Sequence, residues 1–378
     1  MNPLLNILAV LLLVCGAGAT VGQERVAPTK SRGGKPLDSP WENMPAELRV
    51  MKFPAWPLPD DLERWRRIDR DQTRNTLLEC LGELPPRPAS LEVKTLERED
   101  RGDYILERFE FHNGVDALVP GIVLVPKNVK GRAPAVIGLH GHGGSSETIC
   151  TDIDNPQCVG PDLARRGFVV AAIDTYFCGA RARKPQKEKD WPERYRHADE
   201  GTLFRIYLWQ GRTLWGMMQR DQQCLIDYLQ TRPEVDPDKI GVTGMSMGGT
   251  GSWWLAAVDD RIAAVVGVAG FTRYEQLIAH NNAPLHGVYY YVPGILKHFD
   301  TEAVYALVAP RPLLMLSGDQ DGGLPLDGIE ILERKLGHVY RLHQQPTAFH
   351  SVVYQNTGHE YLPEMRARMV DWFERHLK

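Results

Sequence analysis

The residue with the clearest chemical promise is Ser246, at the centre of Gly244-Met245-Ser246-Met247-Gly248-Gly249. A serine hydroxyl is a weak nucleophile until a neighbouring base takes its proton. A sharp strand-to-helix turn exposes such a hydroxyl, and the turn brings backbone segments so close that only glycine fits two residues before and after. Backbone N–H groups must also face the oxygen that becomes charged in the reaction. His140-Gly141-His142-Gly143-Gly144 offers a loop of that kind. His142 is the expected donor there, with Gly141 and Gly143 as alternatives, and Met247 is the donor after the serine. The acid and base should follow in chain order. Ser317-Gly318-Asp319-Gln320-Asp321-Gly322-Gly323-Leu324-Pro325 contains two aspartates. Asp321 is preferred as the acid, and Asp319 is then read as a turn residue bonded to its own backbone. Of the twelve histidines, His359 in Asn356-Thr357-Gly358-His359-Glu360 is the candidate base. Ser246, His359 and Asp321 in these roles perform acyl transfer without a metal or organic cofactor.

These groups need a scaffold that delivers them to one end of a sheet. Short apolar runs at 135–139, 169–173, 239–242, 263–268 and 313–316 read as buried strands, separated by helical patterns. Strands without polar alternation are covered on both faces, which predicts an α/β fold with a mostly parallel sheet and helices on either side. Ser246 falls between the third of these strands and a helical stretch at 249–258. The acid loop follows the fifth strand. His359 lies between a strand-like segment at 351–354 and a final helix at 364–377. Upstream, residues 91–125 read as a meander turning at Asn113-Gly114, preceded by an amphipathic helix over 60–81 that ends at Gly82. No fixed-period repeat is present.

With 378 residues, 43% hydrophobic and 24% charged, the chain has the composition of a globular protein rather than a disordered one. Its net charge of −4 provides no broad positive field for nucleic acid. Residues 1–22 carry no charged side chain, and an apolar run at 4–14 precedes Ala17-Gly18-Ala19. That reads as a secretory signal, too short for a membrane span of about 20 residues. An arm rich in proline, glycine and charge follows over 24–59. Removal of the signal leaves five cysteines, an odd number. Cys150 and Cys158 are read either as a disulfide or as buried thiols.

Substrate contacts are sought between the fourth and fifth strands. Residues 270–300 form a longer connection than the fold needs and carry Arg273, His280, His286, Tyr289, Tyr290 and His298. Tyr289 and Tyr290 are candidates for contact with a polar, hydroxylated ester, or else they pack a lid. Arg181, just past the second strand, is a candidate clamp for a carboxylate or else a surface residue. The basic run over 181–196 is read as a solvated loop, with a rim for a polyanionic sugar as its alternative.

The loop at 140–144, the phrase Ala164-Arg165-Arg166-Gly167-Phe168-Val169-Val170, the stretch at 233–242 and the serine turn together resemble the α/β-hydrolase superfamily. The likeness is to its bacterial branch of dienelactone hydrolases and acetyl xylan esterases. Typical dienelactone hydrolases have a cysteine where Ser246 stands, so that activity is not what the resemblance implies here. It implies a secreted serine esterase acting on acetyl or uronate esters of carbohydrates. The expected layout is a signal at 1–22, an arm and helix at 23–90, and a catalytic domain at 91–378 with a pocket-side insertion. A peptidase of the prolyl-oligopeptidase type shares the residue order, but its propeller of blades of about 40 residues each does not fit upstream. A non-catalytic binder on the same fold is the other alternative.

Overall fold

A computed structural model describes residues 22–26, 53–182 and 198–378. All of the expected signal except Gly22, and most of the expected arm, lie outside these residues, as does most of the basic run. Among the described residues ten strands form one sheet: β1 (Gly22–Val26), β2 (Lys94–Asp100), β3 (Tyr104–His112), β4 (Leu118–Pro126), β5 (Ala133–Leu139), β6 (Val169–Ile173), β7 (Val235–Met245), β8 (Ile262–Val268), β9 (Leu313–Gly318) and β10 (Phe349–Tyr354). Their spatial order is β1-β10-β9-β8-β7-β5-β6-β4-β3-β2. The predicted meander is the antiparallel set β2 to β4, and β4 also runs antiparallel to β6. Asn113 closes its second turn from a fully buried position, its Oδ1 accepting from the N–H groups of Val115, Asp116 and Ala117. From β6 to β10 all pairings are parallel.

The apolar runs become these parallel strands because both sheet faces are covered: every residue of β6 and β9 is buried. Connecting helices are α1 (Arg70–Leu81), α2 (Ser146–Cys150), α3 (Gly160–Arg165), α4 (Ala198–Trp209), α5 (Leu214–Thr231), α6 (Met247–Val258), α7 (Tyr274–Ala279), α8 (Thr301–Ala306), α9 (Leu326–Leu342) and α10 (Pro363–Leu377). The helix expected over 60–81 is broken. Asp61 caps a single turn at Leu62–Arg64, a π-helical turn follows at Trp65–Asp69, and α1 then runs to Gly82, whose φ of 86° ends it.

One segment of the expected arm is part of the sheet. Residues 22–26 form the edge strand β1, in parallel register with residues 350–354. Of the two readings of Cys150 and Cys158, the structure has buried free thiols, as it does for Cys178 and Cys224, and Cys80 is half-buried. Burial pushes the Cys158 thiol up to about 11 and holds it protonated.

Strand β5 positions the site. It lies between β6 and β7, so the chain leaves β5 to one side and later returns on the other. A crevice at the carboxyl ends of β5 and β7 results, the place where open parallel sheets gather ligands. The loops after these two strands carry the His140–Gly144 segment and Ser246.

Candidate active site

Ser246 stands between β7 and α6 with φ 59° and ψ −119°, a conformation costing about 1–3 kcal/mol for a residue with a side chain. Its N–H donates to the Val268 carbonyl at 2.9 Å, and its own carbonyl accepts from the Thr250 N–H at 2.9 Å. The turn is therefore held from both sides. Flanking glycines are required by contact: a Cβ on Gly244 would sit 2.5 Å from the Leu139 carbonyl oxygen, and one on Gly248 would overlap that same oxygen. Ser246 is half-buried among buried neighbours and its side chain does not cap α6, so the hydroxyl is available to the crevice. Met247 opens α6, and its N–H belongs to the helix-terminal groups that have no intrahelical acceptor.

The loop after β5 divides its roles. His140 is buried. Its Nε2 accepts from the Thr175 N–H at 3.2 Å, which leaves Nδ1 to donate to the Gly141 carbonyl at 2.8 Å. Desolvation lowers its pKa, so it stays neutral and structural. The Gly141 N–H donates to Gln157 Oε1 at 2.9 Å and is thereby occupied. The His142 ring lies against Tyr289, its Nε2 2.9 Å from Glu200 Oε2.

The loops after β9 and β10 are stitched together. Gln320 N–H donates to the Thr357 carbonyl at 2.8 Å and Asp319 N–H to that of Tyr354 at 3.0 Å. Asp321 Oδ2 lies 2.7 Å from His359 Nδ1. A carboxylate only accepts, so Nδ1 carries the proton and Nε2 is left as the basic nitrogen. Asp321 is 6% exposed and its Oδ1 accepts from the Gly323 N–H at 2.9 Å, whereas the His359 side chain is about half exposed. Burial acts against the charged imidazole, but the hydrogen bond and charge of Asp321 outweigh it and raise the His359 pKa. Asp319 has a different task from the one expected. Its Oδ1 accepts from the Thr357 N–H at 3.1 Å, fastening the histidine loop rather than its own turn.

The insertion over 270–300 consists of α7 and three short 3₁₀ turns. Asp300 closes it, accepting from the N–H groups of Tyr274 and Glu275 at 2.8 Å each. It reaches the acid loop through Asn282, whose amide donates to the Gly322 carbonyl at 2.6 Å. His286 stacks on Tyr290 with centroids 4.2 Å apart and lies beside Gly323.

Among the three substrate candidates, packing favours the lid reading for Tyr289 and Tyr290 and removes the surface reading of Arg181. The Arg181 side chain is buried rather than on the surface, and its Nη2 has no hydrogen-bond partner among the described residues. Its Nη1 pairs with Asp221 Oδ2 at 2.8 Å, and its guanidinium stacks 3.8 Å above the Tyr176 ring. Tyr289 is 3% exposed, stacked on Trp215 and 5.2 Å from His142, while Tyr290 is 6% exposed between His286 and Tyr274. Their faces are thus occupied by protein, as in a packed lid. A cavity of about 700 Å³ opens in the insertion among Phe204, Tyr274, Leu277, Tyr290, Tyr291 and Ile295, and none of Ser246, Asp321 and His359 lines it. The contact of Glu200 with His142 is not legible in the sequence, which shows only two adjacent acids, Asp199 and Glu200, just past a charged run.

The strand order, the strained serine turn and the loops after β9 and β10 define an α/β-hydrolase. The chain belongs to the Abhydrolase family, whose model matches residues 50–370. It is 34% identical over 314 residues to a protein of Bacillus subtilis (strain 168) named as a hydrolase, YtaP, covering 82% of this chain and all of that one. Among solved structures it is similar to a glucuronoyl esterase from Solibacter usitatus, with TM-score 0.63 and 17% identity, covering 86% of this chain and 99% of the other. It is also similar to a Bacteroides fragilis protein described as an acetyl xylan esterase, with TM-score 0.61 and 21% identity, over 82% and 80% of the two chains. At these identities the structural likeness is one of fold. Among the described residues no helix is long and apolar enough to cross a membrane.

Proposed function

We propose that this protein is a serine esterase that hydrolyses acetyl or uronate esters of carbohydrates. The observation that carries the reading is the 2.7 Å contact between Asp321 and His359, on loops after strands of the same parallel sheet that carries the strained turn of Ser246. His359 Nε2 takes the proton of Ser246 as its oxygen attacks the ester carbonyl, and Asp321 stabilises the imidazolium that forms. The N–H groups of His142 and Met247 receive the oxyanion. His359 then returns the proton to the departing alcohol, and water cleaves the acyl-enzyme by the same route. The insertion, with Tyr289 and Tyr290 in its packed wall, shapes the approach to the nucleophile. Sugar esters are favoured as substrates because the solved structures of like fold include esterases described as acting on acetyl xylan and glucuronoyl esters. The apolar segment at 4–14 supports export of the protein, and residues 91–378 form the catalytic domain.

Initial rates on aryl esters from acetate to octanoate, with Ser246→Ala alongside, test the reading. Turnover restricted to short acyl groups and abolished in the variant is expected. An undiminished rate in Ser246→Ala would remove Ser246 from the mechanism.

A further inference from the structure

Glu200 is a carboxylate with 4% exposure, and an acid so buried is costly unless its oxygens are well bonded. Its Oε2 lies 2.9 Å from His142 Nε2, and its Oε1 accepts from the Tyr289 N–H at 3.4 Å. Gly287 keeps the place open, since a Cβ there would come within 2.7 Å of Oε1. One carboxylate thereby joins three segments: the loop after β5, the start of α4 and the insertion. The His142 ring is confined further by Tyr289 at 5.2 Å and by Phe177 at 6.1 Å. Phe177 itself has φ 54°, so its backbone is held in a conformation that few residues adopt. Anchorage of α4 does not depend on this contact alone, because the Tyr207 hydroxyl donates to Asp116 near its other end.

We propose that Glu200 is a positioning residue for ester hydrolysis: by accepting from His142 Nε2 it fixes the ring, and through the ring the loop whose N–H meets the oxyanion. The inference rests on the esterase reading above. Misplacement of such a group by about 1 Å is enough to cost about 10²-fold in rate. The ground-state ester depends less on the hole than the tetrahedral intermediate does, so the effect falls on kcat rather than KM.

The test compares Glu200→Met, which keeps the bulk and loses the acceptor, with Glu200→Gln, whose amide oxygen still accepts. Aryl acetate hydrolysis, thermal midpoint and inhibition by an aryl boronic acid, which becomes tetrahedral on the serine oxygen, are measured for each. For Glu200→Met, kcat should fall by about 30- to 100-fold with KM within about twofold, and boronate affinity should weaken by a similar factor. Glu200→Gln should recover to within about fivefold of the parent. In a His142→Phe background, Glu200→Met should add no further loss. Parental kcat in Glu200→Met, equal losses in both variants, or a rise in KM matching the fall in kcat would overturn the proposal. Survival of activity in Ser246→Ala would instead overturn the esterase reading itself, and the Glu200 assignment with it.

Discussion

Asp321 and His359 meet at 2.7 Å through Oδ2 and Nδ1, the carboxylate buried and the imidazole half exposed. The arrangement fixes which nitrogen is protonated and leaves Nε2 as the basic one. Asp319, two residues earlier, is spent on the Thr357 N–H.

The two aspartates should accordingly respond differently to substitution. Asp321→Asn is expected to lower kcat by roughly 10³- to 10⁴-fold, the scale for losing a triad carboxylate. Asp319→Ala should lower it by only about tenfold, through a loosened histidine loop. Steady-state rates on an aryl acetate separate them, and equal losses would reverse the assignment.

The pH profile follows from the same contact. A base must be unprotonated, so kcat/KM should fall as pH drops through the His359 pKa, which Asp321 raises above the ordinary 6.5. In Asp321→Asn the residual activity should show this limb displaced to lower pH. A profile unmoved by the substitution would mean that another group sets the limb.

Gly248→Ala should abolish folding or cost at least about 3 kcal/mol, because its Cβ would overlap the Leu139 carbonyl and backbone cannot yield as a side-chain tip can. Denaturant unfolding of Gly248→Ala beside Ser246→Ala gives the comparison. The serine variant should keep parental stability or exceed it slightly, since it loses no cap.

Arg181→Met should act on stability rather than on substrate affinity. It would take from Asp221, 2% exposed, its 2.8 Å guanidinium partner and leave Arg220 at 3.9 Å, and removing one member of a buried pair costs about 3–5 kcal/mol. The chemical-denaturation midpoint should fall while KM for a neutral aryl ester stays within about twofold. A large rise in KM at unchanged stability would return Arg181 to the substrate site.

His286 gives a second pH signature. Burial lowers its pKa to about 4, so the unfolded chain binds its proton more readily than the native one. Its contribution is present in full above about pH 6.5 and is lost as pH falls toward 4, up to about 3 kcal/mol. His286→Phe can keep the stacking on Tyr290 without titrating. The variant should match the parent at pH 8 and unfold at a higher temperature than the parent at pH 5.

Much of this architecture is legible in one sequence because strong local signals coincide. Continuous apolar runs such as 169–173 and 313–316 have no place except a covered parallel sheet, and glycine on both sides of Ser246 answers a steric need that any such turn imposes. Other features depend on partners distant in the chain. Nothing near Arg181 announces Asp221, and nothing near His142 announces Glu200. Tyr289 and Tyr290 have the residue types of a ligand platform, but three-dimensional packing against Trp215 and His286 covers their faces. β1 was hidden because its pairing surface, β10, is supplied by the opposite end of the polypeptide.

That last pairing orders events during synthesis. Among the described residues β1 bonds only to β10, so the first of these strands to be made must wait for the last before it finds an acceptor. Contacts this far apart in sequence are slow to form, and domains begin to fold from the N-terminal side as the chain emerges. The loops bearing Ser246 and Asp321 can therefore be in place before the sheet is closed. A chain truncated so as to lack β1 would present β10, with buried Val352, Val353 and Tyr354, as an uncovered edge open to pairing with another molecule.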